Sequence, residues 1–258
     1  MHKENTHLSP VTCCNHWQNK DDIKKIKTVF LPGKLCDHRL WTYIIEELSD
    51  IIEPIFIDLR TQNTLEEMLD TIAKSCKENF LLVGFSMGGY IAQEFSLRHP
   101  KRLLGLVLIG SSADAYSSKE IEYQQRIMEN VRKFGYKGIP DSTMQNLIHR
   151  CSYNNIELIS LIKNMAIESG SKALLSQYSA TINRRSRLEY IPQINCPAIV
   201  IGSDEDQIVS IERIKEMALN MKADFHVITK CGHMIPLEKP KKLCDIIREW
   251  FKDNKPLL

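Results

Sequence analysis

The stretch that most restricts this chain is residues 80–90, Phe-Leu-Leu-Val-Gly-Phe-Ser-Met-Gly-Gly-Tyr. An apolar run of strand length at 80–83 meets Gly84-Phe85-Ser86-Met87-Gly88. A helical pattern follows, with Ile91, Ala92 and Phe95 apolar and Gln93, Glu94 and Arg98 polar. The hydrophobic period therefore switches from strand to helix across a very short turn. A turn that tight strains the serine backbone, and glycines without Cβ atoms let strand and helix approach closely. The strain lifts the Ser86 hydroxyl to the top of a sheet, and the opening turn of the helix aims backbone N–H groups beside it. Gly-x-Ser-x-Gly between a strand and a helix is the setting of an activated serine nucleophile.

The rest of the chain repeats the same alternation. Apolar strands are predicted at 28–31, 55–59 and 104–109, with helices around 40–48 and from Thr64, where Glu67 completes a capping box. Leu65, Met68, Leu69, Ile72, Ala73 and Cys76 form one helical stripe after that cap. The elbow helix ends near His99-Pro100, because proline restricts the residue before it. Continuous apolar strands separated by helices argue for a doubly wound, mostly parallel α/β sheet. From 111 to 190 the alternation stops. Helices are predicted there at 119–134, 142–149, 156–168 and 172–181, punctuated by Gly135, Gly138-Ile139-Pro140 and Gly170. That span reads as a helical cap insertion, leaving 28–110 and 191–258 as the core. Strands resume at 197–201 and 225–228, with a helix at 210–221 and a last helix opening at Pro240. Residues 1–27 are polar and aperiodic, without the apolar stretch of a secretory signal, and read as a flexible extension.

Bulk composition removes whole classes of partner. With 34 basic and 32 acidic residues the net charge is +2, which gives no reason to expect nucleic acid or an anionic membrane. No apolar run reaches the length of a membrane span. The eight cysteines are scattered, with no Cys-x-x-Cys pair and no zinc spacing, so reduced thiols in a cytoplasmic protein are expected. No metal or nucleotide cofactor is expected, since the chain has neither a ligand cluster nor a phosphate-cradling loop.

A serine hydroxyl becomes a nucleophile only when a base takes its proton and an acid holds that base in the right tautomer. Both must come from strand ends, where open α/β sheets keep their sites. His233 follows the last predicted strand, after Gly232 in a turn-rich loop, and is the expected base. One of the consecutive acids Asp204, Glu205 and Asp206 is expected to face it. Asp206 is preferred, and Asp114 after the 104–109 strand is the runner-up. Two backbone amides should hold the developing oxyanion: Met87, after the nucleophile, and Lys34, in the loop after the first strand. Tyr116, Met144, Met165 and Tyr178 are candidate walls for a substrate lying under the insertion. Arg184, Arg185 and Arg187 read as a solvated basic face.

On these residues, 28–251 resembles the α/β-hydrolase family. Within it the chain looks like the small bacterial hydrolases with a Leu-Pro-Gly-x-Leu-Cys-Asp…Leu-Trp opening and a Gly-x-Ser-Met-Gly-Gly-Tyr elbow. Here the opening is Leu31-Pro32-Gly33-Lys34-Leu35-Cys36-Asp37 with Leu40-Trp41, and Gly232-His233 with Leu237-Glu238-Lys239-Pro240 matches the family's ending. The family's acid precedes an apolar-then-Pro helix start. Asp206-Gln207-Ile208-Val209-Ser210 fits, with Ser210 in place of the proline. Two features depart: Pro32-Gly33 replaces the common His-Gly, and Asp58-Leu59-Arg60-Thr61-Gln62 replaces the common Gly-x-Gly-x-Ser loop. A haloalkane dehalogenase would resemble this chain with Asp at Ser86.

The resemblance implies an α/β-hydrolase fold with a cap, and a serine hydrolase cleaving a small carboxylic ester or thioester through an acyl-enzyme on Ser86. Carbon–carbon hydrolysis, a lyase and perhydrolysis use the same triad. A hydrolase-fold protein that only binds a ligand is the alternative from another class.

Overall fold

The computed structural model describes residues 25–254, so the expected extension at 1–27 lies almost wholly outside the described residues. In chain order the elements are β1 (Ile26–Leu31), a 3-10 turn (His38–Trp41), α1 (Thr42–Glu47), β2 (Ile52–Phe56), α2 (Leu65–Ser75), β3 (Phe80–Phe85), α3 (Met87–Arg98) and β4 (Leu103–Ile109). Then come α4 (Ser118–Phe134), α5 (Asp141–Leu147), α6 (Ile156–Thr181), β5 (Ala198–Ser203), α7 (Ile211–Met221), β6 (Asp224–Ile228), α8 (Ile235–Glu238) and α9 (Pro240–Asp253).

The strands form one six-stranded sheet in the order β2-β1-β3-β4-β5-β6. Every pairing is parallel, with Thr28 opposite Leu81 and Leu106 opposite Ala198. Successive side chains of a strand point to opposite faces, so each central strand feeds two cores. Leu81, Val83, Val107, Ile109, Ile199 and Ile201 meet Trp41, Ile44, Leu243, Ile247 and Trp250 on one face. Phe80, Leu82, Leu106, Leu108 and Val200 meet Met68, Ile72, Ile91, Phe95, Ile214 and Met217 on the other. The apolar stripe of α2 is thus buried as its spacing predicts.

Some boundaries moved for identifiable reasons. The second strand lies at 52–56 rather than 55–59. It contains Pro54, which is tolerated because β2 is the sheet's edge and the lost N–H leaves no central ladder bond open. Ile57 and Leu59 are buried in the loop that follows, which explains their strand-like pattern. The predicted capping box is shifted. Thr64 accepts the Glu67 N–H, but the Glu67 carboxylate accepts from Asn63, one residue before the cap. The two helices expected at 156–168 and 172–181 are present as the two arms of α6, which meet at a kink at Gly170, whose φ of 73° and ψ of −174° suit glycine alone.

The chain leaves β1 in one direction along the sheet and returns at β3 to continue in the other. The carboxyl ends of β1 and β3 are therefore neighbours at the point of reversal, where open sheets bind their ligands.

Candidate active site

The site is built from the loops that follow β1, β3, β5 and β6. At the end of β3, Ser86 has φ 52° and ψ −114°, a left-handed conformation that side chains rarely adopt. The glycines around it are forced by contact. A Cβ on Gly84 would stand 2.5 Å from the Gly88 carbonyl oxygen, and one on Gly88 would run into the Leu31 and Pro32 carbonyls. Strand, helix and the loop after β1 meet there with no room for a methyl group.

His233, in the loop after β6, is buried and sits between an acid and the serine. Its Nε2 is 2.9 Å from Ser86 Oγ and its Nδ1 is 2.7 Å from Asp206 Oδ2. The Asp206 side chain is fully covered, and its other oxygen accepts the Ile208 and Val209 N–H groups at 2.7 and 2.9 Å. The three consecutive acids have three different surroundings. Asp204 is exposed, and Glu205 Oε1 lies 3.0 Å from His149 Nε2 but too misaligned for a hydrogen bond. Asp114, the runner-up, is engaged by Arg213 Nε at 2.9 Å.

The His233 loop is held by two residues whose part the sequence reading did not assign. Ser203, at the end of β5, donates its hydroxyl to the Gly232 carbonyl at 2.6 Å. Glu238 accepts the Gly232 N–H at 2.9 Å, and its second oxygen accepts the His149 N–H and the Ser152 hydroxyl at 2.7 and 2.8 Å. One carboxylate therefore ties the His233 loop to the segment between α5 and α6. The Leu-Glu-x-Pro ending was a usable signal, for it fixes a glutamate five residues after the histidine.

Beside Ser86, residues 33–36 form a turn closed by the Cys36 N–H to the Gly33 carbonyl, with Leu35 at φ 56°. Gln177 of α6, almost fully buried, accepts the Leu35 N–H at 2.9 Å and donates to the Leu59 carbonyl at 3.1 Å. Among the described residues, neither the Lys34 nor the Met87 amide has a hydrogen-bond partner.

Of the four expected wall residues, two gather at this turn and two do not. Lys34 Nζ donates to Tyr116 Oη at 3.3 Å and lies 4.1 Å from the Tyr178 ring centroid. Its side chain points inward, so Lys34 brings a charged group here as well as its backbone amide. Burial pushes the Lys34 ammonium below the ordinary lysine range, and the Arg184 cation adds to that. Burial alone would raise the Tyr116 phenol, but the Lys34 and Arg184 cations outweigh it and hold it low. Met144 and Met165 are instead buried in the apolar cluster with Ile148, Leu158 and Ile162, where their helical spacing puts them. The solvated reading of the arginines also fails. Arg187 pairs with the buried Glu94, and Arg184 stacks 3.9 Å from the Tyr116 ring centroid; Arg185 alone is exposed.

Residues 54–253 match the Ndr family. This chain belongs to the Ndr family. A thermophilic esterase from Thermogutta terrifontis, solved with malate bound, superposes with a TM-score of 0.83 and 28% identity, covering 89% of this chain and 90% of that one. The biotin biosynthesis bifunctional protein BioHC of Teredinibacter turnerae is 26% identical over 89% of this chain. Monoacylglycerol lipase ABHD6 of Mus musculus is 23% identical over 90% of this chain and 79% of its own length. The chain spans about half the length of the bifunctional relatives it matches, 45% and 47%. The fold is that of the α/β-hydrolases, and no helix among the described residues is long and apolar enough to cross a membrane.

Proposed function

We propose that this Ndr-family protein is a serine hydrolase that cleaves a carboxylic ester or thioester of a small molecule through an acyl-enzyme on Ser86. The observation that carries the reading is the relay from Ser86 Oγ to His233 Nε2 at 2.9 Å and from His233 Nδ1 to Asp206 Oδ2 at 2.7 Å. The esterase and lipase names of its relatives support it.

Asp206, held by two backbone N–H groups, accepts a hydrogen bond from the Nδ1–H of His233. That fixes the tautomer in which Nε2 is free to take a proton. As Ser86 Oγ attacks the carbonyl carbon, its proton passes to Nε2. The carbonyl oxygen becomes an oxyanion and takes hydrogen bonds from the unengaged Met87 and Lys34 amides. His233 then gives its proton to the leaving alcohol or thiol as the carbon–oxygen or carbon–sulfur bond breaks. Water, activated by the same nitrogen, hydrolyses the acyl-enzyme and restores Ser86. In this reading α4, α5 and α6 are the cap over the site, with Tyr116 and Tyr178 on its substrate side. The free cysteines among the described residues fit a reducing compartment and support a cytoplasmic location.

The test is hydrolysis of p-nitrophenyl esters of graded acyl length, with a fluorophosphonate label in parallel. Ser86→Ala is expected to lose both turnover and labelling. Turnover that survives in a folded Ser86→Ala protein rules the reading out.

A further inference from the structure

Among the described residues, Lys34 and Arg184, two cations near the loop that packs on Ser86, have no carboxylate within ion-pair distance. Among the described residues Arg102, Arg126, Arg132, Arg150 and Arg185 also have no ion pair, whereas Arg39, Arg60, Arg98, Arg187, Arg213 and Arg248 each lie within ion-pair distance of an Asp or Glu. Lys34 and Arg184 do not. The Lys34 ammonium has three protons to donate. Its hydrogen bonds run to Tyr116 Oη at 3.3 Å and Gln124 Oε1 at 3.2 Å, both longer than charge-assisted bonds to an anion. Arg184 reaches the Ser112 hydroxyl with Nη2 at 3.5 Å, and its buried Nε has no partner at all. Its guanidinium lies over aromatic rings, 3.9 Å from the Tyr116 centroid and 5.0 Å from that of Tyr90.

The two cations share Tyr116: Lys34 Nζ donates to its hydroxyl and the Arg184 guanidinium lies over its ring. Burying like charges together without a counter-ion is unfavourable, and an anion arriving from outside removes that cost. The location suits a substrate group. Lys34 follows Gly33, whose Cβ position is 3.4 Å from Ser86 Cβ, and Ser112 follows Ser111, which packs against Gly89 in the first turn of α3. Lys34 thus comes from the β1 loop that packs on Ser86, and Arg184, from the segment after α6, lies over Tyr90, four residues along α3 from Ser86.

We propose that Lys34 and Arg184 form a carboxylate subsite, so that the preferred substrate is an ester or thioester carrying a second, ionised carboxylate. This rests on the hydrolase reading above and narrows its substrate class. Tyr116 and Tyr178 hold the cations in place, and the unpartnered Arg184 Nε–H and the free Lys34 proton supply the new hydrogen bonds.

The experiment compares matched esters that differ only in charge: mono-p-nitrophenyl adipate against p-nitrophenyl hexanoate, and 4-carboxyphenyl hexanoate against phenyl hexanoate. Wild type is expected to favour the anionic member of at least one pair by about ten-fold or more in kcat/KM. Arg184→Gln is expected to cut that ratio about 10- to 100-fold. Calorimetric titration of free adipate into Ser86→Ala, and into Ser86→Ala with Arg184→Gln, reads the subsite without turnover. Binding lost with Arg184 supports the proposal even should Arg184→Gln lower activity overall. Equal rates within both pairs, with no adipate binding, overturn the subsite and leave the hydrolase standing. If turnover and phosphonate labelling are both absent, the hydrolase reading fails; adipate binding that depends on Arg184 then still identifies an anion site.

Discussion

Replacing Glu238 by alanine removes the acceptor for three donors at once. Two of them, the backbone N–H groups of Gly232 and His149, are on buried residues, and the third is the Ser152 hydroxyl, which can turn to water. An orphaned buried donor costs about 1–3 kcal/mol. Two give about 2–6 kcal/mol, and because Glu238 is itself half-exposed, water entering the gap keeps the loss in the lower half, about 2–4 kcal/mol. For a chain of this size that is a fall in Tm of about 4–16 °C. The loss reaches catalysis because Gly232 precedes His233. With its N–H free, that peptide keeps only the Ser203 bond to its carbonyl, and His233 gains room to drift from Ser86. A drop in kcat of about ten-fold, with little change in KM, is expected. Glu238→Gln makes the argument sharper. One amide oxygen can serve only one side of the former carboxylate, and its NH2 then faces donors, so about half the loss is expected. Urea denaturation with an unchanged slope measures the stability and ester hydrolysis measures kcat. An alanine variant within about 0.5 kcal/mol of wild type, with kcat intact, would refute the reasoning.

Asp206→Asn keeps the shape of the relay but loses the charge that fixes the His233 tautomer; kcat is expected to fall about 10³- to 10⁴-fold with folding intact by circular dichroism. Gly88→Ala drives a methyl group into the Leu31 and Pro32 carbonyls, so about 1–3 kcal/mol of stability and most activity should go, both read on the purified variant. Burial pushes the Cys36 and Cys244 thiols up to about 12, whereas Cys151 is exposed. Iodoacetamide at mild alkaline pH should therefore alkylate Cys151 but spare Cys36 and Cys244 until urea is added, as peptide mass spectrometry would report. Lys34 has its pKa lowered chiefly by burial, so the folded protein binds its proton less readily than the unfolded chain does. Stability should then rise with pH through that lowered pKa, and Lys34→Met should be the more stable protein at neutral pH, by an advantage that shrinks as pH rises.

The fold was readable because its two signals are long and agree with each other. Strands such as β3 and β4 are continuous apolar runs buried on both faces, and the helices between them carry clear stripes. What failed were edges. At β2 an exposed strand gives up its alternation, and Pro54 argues against the very segment that forms the ladder, because an edge tolerates what a central strand cannot. At Gly170, by contrast, the two predicted helices are present and meet at a kink. The error at β2 arises where tertiary position, not local pattern, decides.

The site divides along the same line. Ser86 and His233 were readable because each follows a strand and carries its own local mark, a glycine-flanked turn for one and Gly232 for the other. Asp206 could be preferred over its neighbours only by its distance from the next helix, since nothing local distinguishes three acids in a row. Their separate fates depend on which side of the loop faces His233 and which faces His149. Glu238 and Gln177 went unassigned because their partners are far away in sequence. The first joins the His233 loop to residue 149, and the second joins α6 to the turn at Leu35. Lys34 and Arg184 are the sharper case. Separately, each is a basic residue that sequence alone would leave in water. Only when the fold sets both against Tyr116 does their lack of an acidic partner among the described residues become visible, and with it the anion subsite proposed for them.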